Sequence, residues 1–262
     1  MRMDSYMKLS LVGSVKIDSS FRKKLFIYNL ASLEPISSLL SWNLNIVGRY
    51  ADFAHREITK RYPHASITID DDSSYYELVK SQISAFDNLG RPEPLLFFWM
   101  EDHWFLCPNA NLFFYLLDEF EHSEAEILTV THLITSWHRK HVHKLVTDKY
   151  LYKEYLVDLS SQRELWKRWP EAYLTGMPAI YKKGIANEIL EMNKPALENS
   201  KHPGGYELHG EKAVEFLTKR SVVEMIPTFH VFREVFKSSK HDRAISIREA
   251  LQILKLRHNG NL

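Results

Sequence analysis

Residues 95–106 read LLFFWMEDHWFL, and this stretch decides the fold prediction. Its first six residues, 95–100, form an uninterrupted apolar run that ends at an acidic side chain. A run of that length with aromatic side chains is typical of a strand buried on both faces of a parallel sheet. Two carboxylates and an imidazole follow the strand directly, those of Glu101, Asp102 and His103. The sequence therefore predicts a buried central strand that ends in a polar cluster.

Shorter apolar segments around this strand alternate with helical patterns. Strands are predicted at residues 8–15, 44–47, 66–69 and 126–131, helices at 53–61, 75–87 and 111–120, and a partly helical segment at 21–40. Capping-box patterns at Ser74, Ser161 and Ser246, each with Glu three residues later, predict the starts of three helices. Strand–helix alternation argues for an α/β fold with a mostly parallel central sheet flanked by helices.

The charge pattern changes after about residue 136. Residues 91–136 carry one basic residue, Arg91, against eight acidic ones, whereas residues 137–169 carry eight basic against four acidic. We expect one domain over residues 1–262, with an α/β part over 1–136 and a helical or irregular C-terminal part over 137–262. The C-terminal part could cover a binding site, contact a membrane surface or form a homodimer, and the sequence leaves these three open.

Composition excludes several classes of protein. With 45% hydrophobic and 26% charged residues, the chain is unlike disordered or collagen-like sequences. A net charge of +1 gives no basic excess for nucleic-acid binding. The single cysteine, Cys107, excludes an intramolecular disulfide and fits a reducing compartment. Because no apolar run is long enough for a membrane span and residues 1–10 lack a signal-peptide core, we expect a cytoplasmic protein.

The cluster of Glu101, Asp102 and His103 is the first candidate site. Ligands of open α/β sheets gather at the carboxyl ends of strands, and oxygen ligands favour Mg²⁺ or Mn²⁺. Along an extended chain Glu101 and His103 point one way and Asp102 the other, so only some of them would bind a metal. The alternative is a polar strand end paired with a neighbouring Arg or Lys.

Two further clusters are candidates for binding a nucleotide. Asp71 and Asp72 follow the predicted third strand, where they could hold a ribose or a base, or only cap the next helix. His138, Lys140 and Lys144 lie in a basic segment that could bind a diphosphate through its cations, bind a metal through its imidazoles, or be a solvated loop.

Glu207 and His209 follow a Pro-Gly-Gly turn and form the last candidate site. Glu207 could act as a general base toward a hydroxyl, or belong to an ordinary loop-to-strand segment. The chain contains no GxGxxG, P-loop, GxSxG or CxxC motif, which removes the common dinucleotide, NTPase, hydrolase and redox signatures.

The order of these features resembles nucleotide-sugar glycosyltransferases of the GT-A fold. More narrowly, it resembles small bacterial and viral enzymes whose central strand ends in a Leu-Glu-Asp-Tyr/Phe-Phe-Leu pattern, with Glu-Asp in place of Asp-X-Asp. The counterparts here are LLFFWMEDHWFL over residues 95–106, MPAIY over 177–181 and GYEL over 205–208. His103 stands where those enzymes carry an aromatic residue, and Met177 stands in place of a Gln.

The resemblance implies a Rossmann-type GT-A fold whose residues 1–136 bind the nucleotide-sugar and whose residues 137–262 lie on the acceptor side. It implies a glycosyltransferase of polysaccharide biosynthesis, which moves a sugar from a UDP- or GDP-linked donor to a glycan or lipid-linked acceptor. Such a protein would be cytoplasmic, with peripheral contact to the inner face of the membrane.

The same resemblance implies roles for the candidate residues. Glu101, Asp102 and His103 would hold Mn²⁺ or Mg²⁺, and Glu207 would activate the acceptor hydroxyl. The donor would be bound by the residues Val12, Ser14, Asp71, Asp72, His138 and Lys140.

Two other functions compete with this one. A catalytically silent glycosyltransferase-like protein would bind a nucleotide or sugar without turnover, with the polar cluster as a structural pair. A metal-dependent phosphohydrolase would need a denser set of Asp and His residues than this chain carries. The stereochemical course of transfer stays open.

Overall fold

The computed structural model describes residues 9–85, 95–130, 141–170, 174, 179–199, 208, 210–236 and 244–258. The chain groups into two compact units. The first unit comprises residues 1–104 and 182–205, and the second comprises residues 105–181 and 206–262. That they form a single domain stays a prediction.

Strands and helices alternate over most of the described chain. The strands are β1 Leu9–Lys16, β2 Leu40–Val47, β3 Ser66–Thr68, β4 Leu95–Phe98, β5 His103–Phe105, β6 Ile127–Thr129, β7 Lys144–Asp148, β8 Tyr152–Val157, β9 Ala179–Lys182, β10 Val222–Pro227, β11 Phe232–Phe236 and β12 Ala244–Ser246. The helices are α1 Ser20–Ser32, α2 Ala51–Arg61, α3 Tyr75–Ser84, α4 Ala110–His122, α5 Leu159–Arg168, α6 Lys183–Met192, α7 Lys194–Leu197, α8 Gly210–Lys219 and α9 Ile247–His258, with a short 3₁₀ helix at Glu34–Leu39.

The first unit carries a parallel sheet with the strand order β3-β2-β1-β4. All four residues of β4 are buried, as are seven of the eight residues of β1. Burial on both faces explains why β4 is apolar without alternation. The predicted buried strand is therefore confirmed as β4, and its carboxyl end lies at the same edge of the sheet as those of β1, β2 and β3.

N-terminal capping residues determine where three of the predicted helices begin. Ser74 and Glu77 form the predicted capping box of α3, and Ser246 and Glu249 exchange the same bonds at the start of α9. The capping box predicted at Ser161 is wrong. The N-cap of helix α5 lies three residues earlier, at Asp158, because the Asp158 carboxylate accepts a 2.7 Å hydrogen bond from the Ser161 amide and an aspartate caps as well as a serine.

The second unit contains a sheet with the strand order β9-β6-β10-β8-β7. Only β6 and β10 run parallel, and the other three pairs are antiparallel. Strands β11 and β12 pair in parallel in a small sheet that is separate from it. The sequence analysis did not predict β7 to β12. In β8, for example, the charged Glu154 is buried, as are the nearby Tyr152 and Tyr155 of the same strand. The strand therefore shows no apolar–polar alternation in its sequence.

None of the helices in the described part of the chain is long and apolar enough to cross a membrane.

Gly13 breaks the regular geometry of β1 just before its polar end. Its φ is +121°, in a region that disfavours side chains, and a Cβ there would lie 3.3 Å from the Tyr75 hydroxyl. The Gln82 side chain of α3 accepts from the Gly13 amide at 2.7 Å and donates to its carbonyl at 3.0 Å. A glycine is therefore required where the Gln82 side chain joins α3 to β1.

We expect Gly13→Ala to lower the free energy of unfolding by about 1–3 kcal/mol, because the new Cβ strains the backbone. Gly184→Ala is the matched control, since a Cβ at Gly184 in helix α6 meets no atom within 4 Å. It should leave stability unchanged or raise it by up to about 1 kcal/mol. Urea unfolding of both variants measures the difference, and equal effects would contradict the role of Gly13.

Candidate functional site

Asn45 organises the carboxyl edge of the parallel sheet. Its side-chain amide donates to the Ser14 hydroxyl at 3.2 Å and to the Asp70 carbonyl at 2.8 Å. Its side-chain oxygen accepts from the Thr68 hydroxyl at 3.0 Å and from the Asp70 amide at 2.9 Å. All its hydrogen-bonding positions are thus used, which suits its complete burial. The sequence analysis missed Asn45, whose only signal was an amide inside an apolar strand.

The predicted donor-binding residues of the first unit differ in exposure. Val12 is fully buried and Ser14 is nearly so, whereas Asp71 and Asp72 are exposed beyond the end of β3. The preceding Asp70 closes the loop, because its carboxylate accepts hydrogen bonds from the Asp72 amide at 2.8 Å and the Ser73 hydroxyl at 2.6 Å. The structural role in this cluster therefore belongs to Asp70, and Asp71 and Asp72 extend into solvent.

Glu101 lies in the turn after β4 and is only 1% exposed. Arg22, in the first turn of α1, forms a close ion pair with it. The same guanidinium donates to the Lys16 carbonyl at 3.2 Å and lies 3.9 Å from the Asp18 carboxylate. The structure thus brings α1 and the polar end of β4 together through one arginine, a residue that the sequence analysis did not single out.

The turn itself is held by hydrogen bonds and aromatic packing. The Met100 carbonyl accepts from the Asn29 side chain at 2.9 Å and from the His103 amide at 3.1 Å. The ring of Trp99 packs edge-on against Phe26 and Trp42, with centroid distances of 6.2 and 5.4 Å. This packing explains why a turn with two carboxylates is buried.

Burial controls the ionisation of the cluster. Desolvation and, second, the Asp102 charge raise the pKa of Glu101 to about 7, while Arg22 opposes the rise. Burial also lowers the pKa of His103, with the Asp102 carboxylate opposing that shift. The nearest charged atoms of Asp102 and His103 are 3.8 Å apart. The site therefore favours a neutral imidazole beside two carboxyl groups that repel each other.

Two buried oxygens of the cluster are suited to a hard cation. Among the described residues, neither Oε2 of Glu101 nor Oδ1 of Asp102 has a hydrogen-bond partner. No group of three or more potential metal ligands occurs in the described stretches. Mg²⁺, however, is commonly held by one or two carboxylates, with water and substrate phosphates completing its shell. The residues present fit a metal of that kind, with Glu101 already in contact with Arg22.

Most of the remaining predicted site residues are outside the part of the chain that the structure describes. His138, Lys140 and Glu207 lie outside the described residues. Lys144 is described and begins strand β7 of the second unit, where it is exposed.

Comparison with solved structures identifies the fold. The chain is similar to residues 1–349 of S. aureus TarS in complex with UDP-GlcNAc, with a TM-score of 0.50 and 11% identity. That likeness covers 96% of this chain and 65% of the solved TarS chain, so the present chain spans slightly less than two thirds of residues 1–349 of TarS. It confirms the predicted α/β, GT-A-like fold class. At such low identity it shows the fold alone.

Two further solved structures match this chain with lower TM-scores, and each match covers the full length of the other protein. The 4-diphosphocytidyl-2C-methyl-D-erythritol synthase of Anaerococcus prevotii has a TM-score of 0.43 and 14% identity, with 98% of this chain covered. An apo UDP-glucose pyrophosphorylase has a TM-score of 0.45 and 9% identity, also with 98% covered. No protein-family model matches the chain, and no curated protein matches it in sequence.

The buried Glu101 should make stability depend on pH. Its pKa is raised from 4.5 to about 7 in the folded state, so folding favours the protonated carboxyl. The free energy of unfolding should therefore fall as pH rises through this window, by on the order of 3 kcal/mol from this group. Glu101→Gln should remove that part of the slope in urea unfolding followed from pH 4 to about 8.

Glu57→Gln on α2 is the control for removing a carboxylate from the same unit. The comparison with wild type isolates Glu101 from other titrating groups. If the stability of Glu101→Gln falls with pH as steeply as that of the wild type, the raised pKa of the buried Glu101 carboxyl is contradicted.

Proposed function

We propose that this chain is a glycosyltransferase that moves a sugar from a nucleotide-sugar donor to a glycan or lipid-linked acceptor, with help from a divalent metal ion. The observation that carries the proposal is the buried pair Glu101 and Asp102, which follows the central strand at the carboxyl edge of a parallel sheet. Ligands of open α/β sheets bind outside that edge.

Two further findings support the donor class. TarS, whose fold this chain shares, was solved with UDP-GlcNAc bound. The pattern LLFFWMEDHWFL resembles the central strand of nucleotide-sugar enzymes. We infer a UDP- or GDP-linked sugar as the donor, in polysaccharide biosynthesis.

Asp102 is the residue that we propose to hold Mn²⁺ or Mg²⁺. It has a buried oxygen without a hydrogen-bond partner in the described chain, whereas Glu101 is also paired with Arg22. When bound, the cation would neutralise charge on the departing diphosphate. His103, held as a neutral imidazole by burial, would supply a ring nitrogen or fix the position of Asp102.

The other proposed contacts surround the donor and the acceptor. Ser14 and the backbone at Val12 would face the nucleoside with Asp71 or Asp72, and His138 and Lys140 would contact the phosphates. Glu207 would accept the proton of the acceptor hydroxyl. The hydroxyl oxygen then bonds to the anomeric carbon of the sugar as the bond from that carbon to the diphosphate oxygen breaks.

A catalytically silent binding protein is the second candidate function. The ion pair between Arg22 and Glu101 favours it, because a resident cation already compensates one of the two buried carboxylates. Such a protein would bind the donor without releasing nucleoside diphosphate. Turnover therefore separates the two functions, and donor binding alone does not.

Asp102→Asn should weaken Mn²⁺-dependent donor binding by about tenfold to a hundredfold, because a neutral amide is a poorer ligand for a hard cation. Thermal stability measured across UDP- and GDP-sugars, with and without Mn²⁺, gives the affinity. Asp52→Asn, which alters an exposed carboxylate on α2, is the control and should leave the affinity unchanged. Equal donor affinities for wild type and Asp102→Asn would remove the proposed metal site.

Glu207→Gln should leave donor affinity intact and lower the rate of transfer by about 10²- to 10⁴-fold, as expected for loss of a general base. Release of nucleoside diphosphate in the presence of acceptor measures that rate. Glu211→Gln, at an exposed position in α8, is the control. An equal loss of binding and transfer in Glu207→Gln would make Glu207 a structural residue instead.

A further inference from the structure

Exposed apolar side chains cluster on one hairpin of the second unit. Among the described residues, five large hydrophobic side chains are exposed, and three of them belong to the β7–β8 hairpin. Leu145 is 45% exposed, Val146 is 52% exposed and Tyr150, in the connecting turn, is 93% exposed. Clustered apolar exposure of this kind marks an interaction surface, whereas isolated exposed apolar residues are ordinary.

The turn that carries Tyr150 is fixed to the body of the unit. The Thr228 hydroxyl donates to the carbonyls of Tyr150 and Leu151, each at 3.2 Å, and the Thr228 amide donates to Leu151 at 2.9 Å. The Lys149 amide donates to the Tyr152 carbonyl at 3.0 Å. The backbone of the turn is therefore held in place while the Tyr150 ring extends into solvent. Binding of the ring to a partner would then cost little backbone conformational entropy.

Basic side chains lie along the same hairpin and in a cavity beside it. Lys144 begins β7 and Lys149 lies next to Tyr150. A cavity of about 760 Å³ is lined by three basic residues, Lys144 with Arg163 and Lys167 of α5, and by the acidic Asp158 and Glu164. Lys167 lies 3.3 Å from the Glu164 carboxylate, which leaves Lys144 and Arg163 as its cations for an anionic partner. Within the described chain, neither Lys144 nor Arg163 forms an ion pair. The hairpin thus combines apolar side chains with cations available to an anionic partner.

We propose that the β7–β8 hairpin docks this chain onto a membrane surface that carries anionic phospholipids. Tyrosine rings prefer the interface between water and acyl chains, and each lysine near an anionic bilayer adds attraction. Leu145, Val146 and Tyr150 would enter the interface while Lys144, Lys149 and Arg163 meet lipid phosphates. This inference goes beyond the proposed transfer reaction and does not depend on it.

The same strand is poorly suited to pairing with a second copy. The β7–β8 ladder pairs Leu145 with Tyr155 and Thr147 with Glu154, so Val146 forms a bulge. Bulges and edge lysines interrupt the regular hydrogen bonding that strand-to-strand association needs. The exposed apolar side chains are therefore better explained by a fluid, charged surface than by another sheet edge.

Co-sedimentation with vesicles tests the proposal. At about 0.1 M salt, the full chain should bind vesicles of equimolar phosphatidylcholine and phosphatidylglycerol, and bind phosphatidylcholine vesicles at least about tenfold more weakly. Binding should fall at about 1 M salt, because the lysine contribution is screened. A wild-type chain that stays in the supernatant with the anionic vesicles would overturn the proposal.

Two sets of substitutions locate the surface. Leu145→Ser/Val146→Ser/Tyr150→Ser and Lys144→Glu/Lys149→Glu should each lower binding to the anionic vesicles by about tenfold. The matched controls are Tyr115→Ser, an exposed ring on α4, and Lys60→Glu/Lys219→Glu, exposed lysines on α2 and α8, which should bind like wild type. All these side chains are exposed, and unchanged melting temperatures verify folding.

Equal vesicle binding by the hairpin variants and wild type would overturn the proposal. So would a wild-type dimer, seen by light scattering, that the triple substitution converts to a monomer without any vesicle binding.

A fluorescent probe gives a second readout. Cys107 is the single cysteine and is buried, so Tyr150→Cys can be labelled selectively with a polarity-sensitive dye. Its emission should shift to the blue with anionic vesicles, whereas the dye on Tyr115→Cys should not respond. Identical responses at the two positions would contradict docking through the hairpin.

Discussion

The burial of Glu101 is the constraint on which the rest of the site depends. A carboxyl group that is 1% exposed loses its hydration, and the neighbouring Asp102 makes its ionisation still less favourable. Arg22 reaches it from the first turn of α1, so the position of that helix and the charge state of the turn are linked. Removing either partner would leave the other charge poorly compensated.

The parallel sheet places this pair where a ligand can use it. Strand β1 leads into α1 and pairs with β4, so the turn after β4 lies beside the start of the helix. Ser14 and Asn45 lie farther along the same edge and are joined by a hydrogen bond. Most polar groups on this edge are therefore satisfied internally. Oε2 of Glu101 and Oδ1 of Asp102 are exceptions, because neither has a hydrogen-bond partner among the described residues, and we therefore propose the metal site there.

Much of the first unit could be predicted from the sequence, because its signals are local. The apolar run of β4 and the capping box at Ser74 are each formed by residues close together in the sequence, so each can be recognised without knowledge of the fold. The contact between Arg22 and Glu101 could not be predicted, since it joins residues 79 positions apart. Asn45 was missed for the same reason. In the second unit a buried Glu154 obscures the strand pattern, and Asp158 caps the helix that Ser161 was expected to begin.

The measurement that tests the account most directly is a crystal structure of the full chain with Mn²⁺ and a nucleotide-sugar, using the anomalous signal of manganese. The account predicts one manganese peak at Asp102, with the donor's diphosphate bound at the carboxyl edge of the same parallel sheet. A donor bound away from Glu101 and Asp102, or a manganese ion held by other residues, would contradict it.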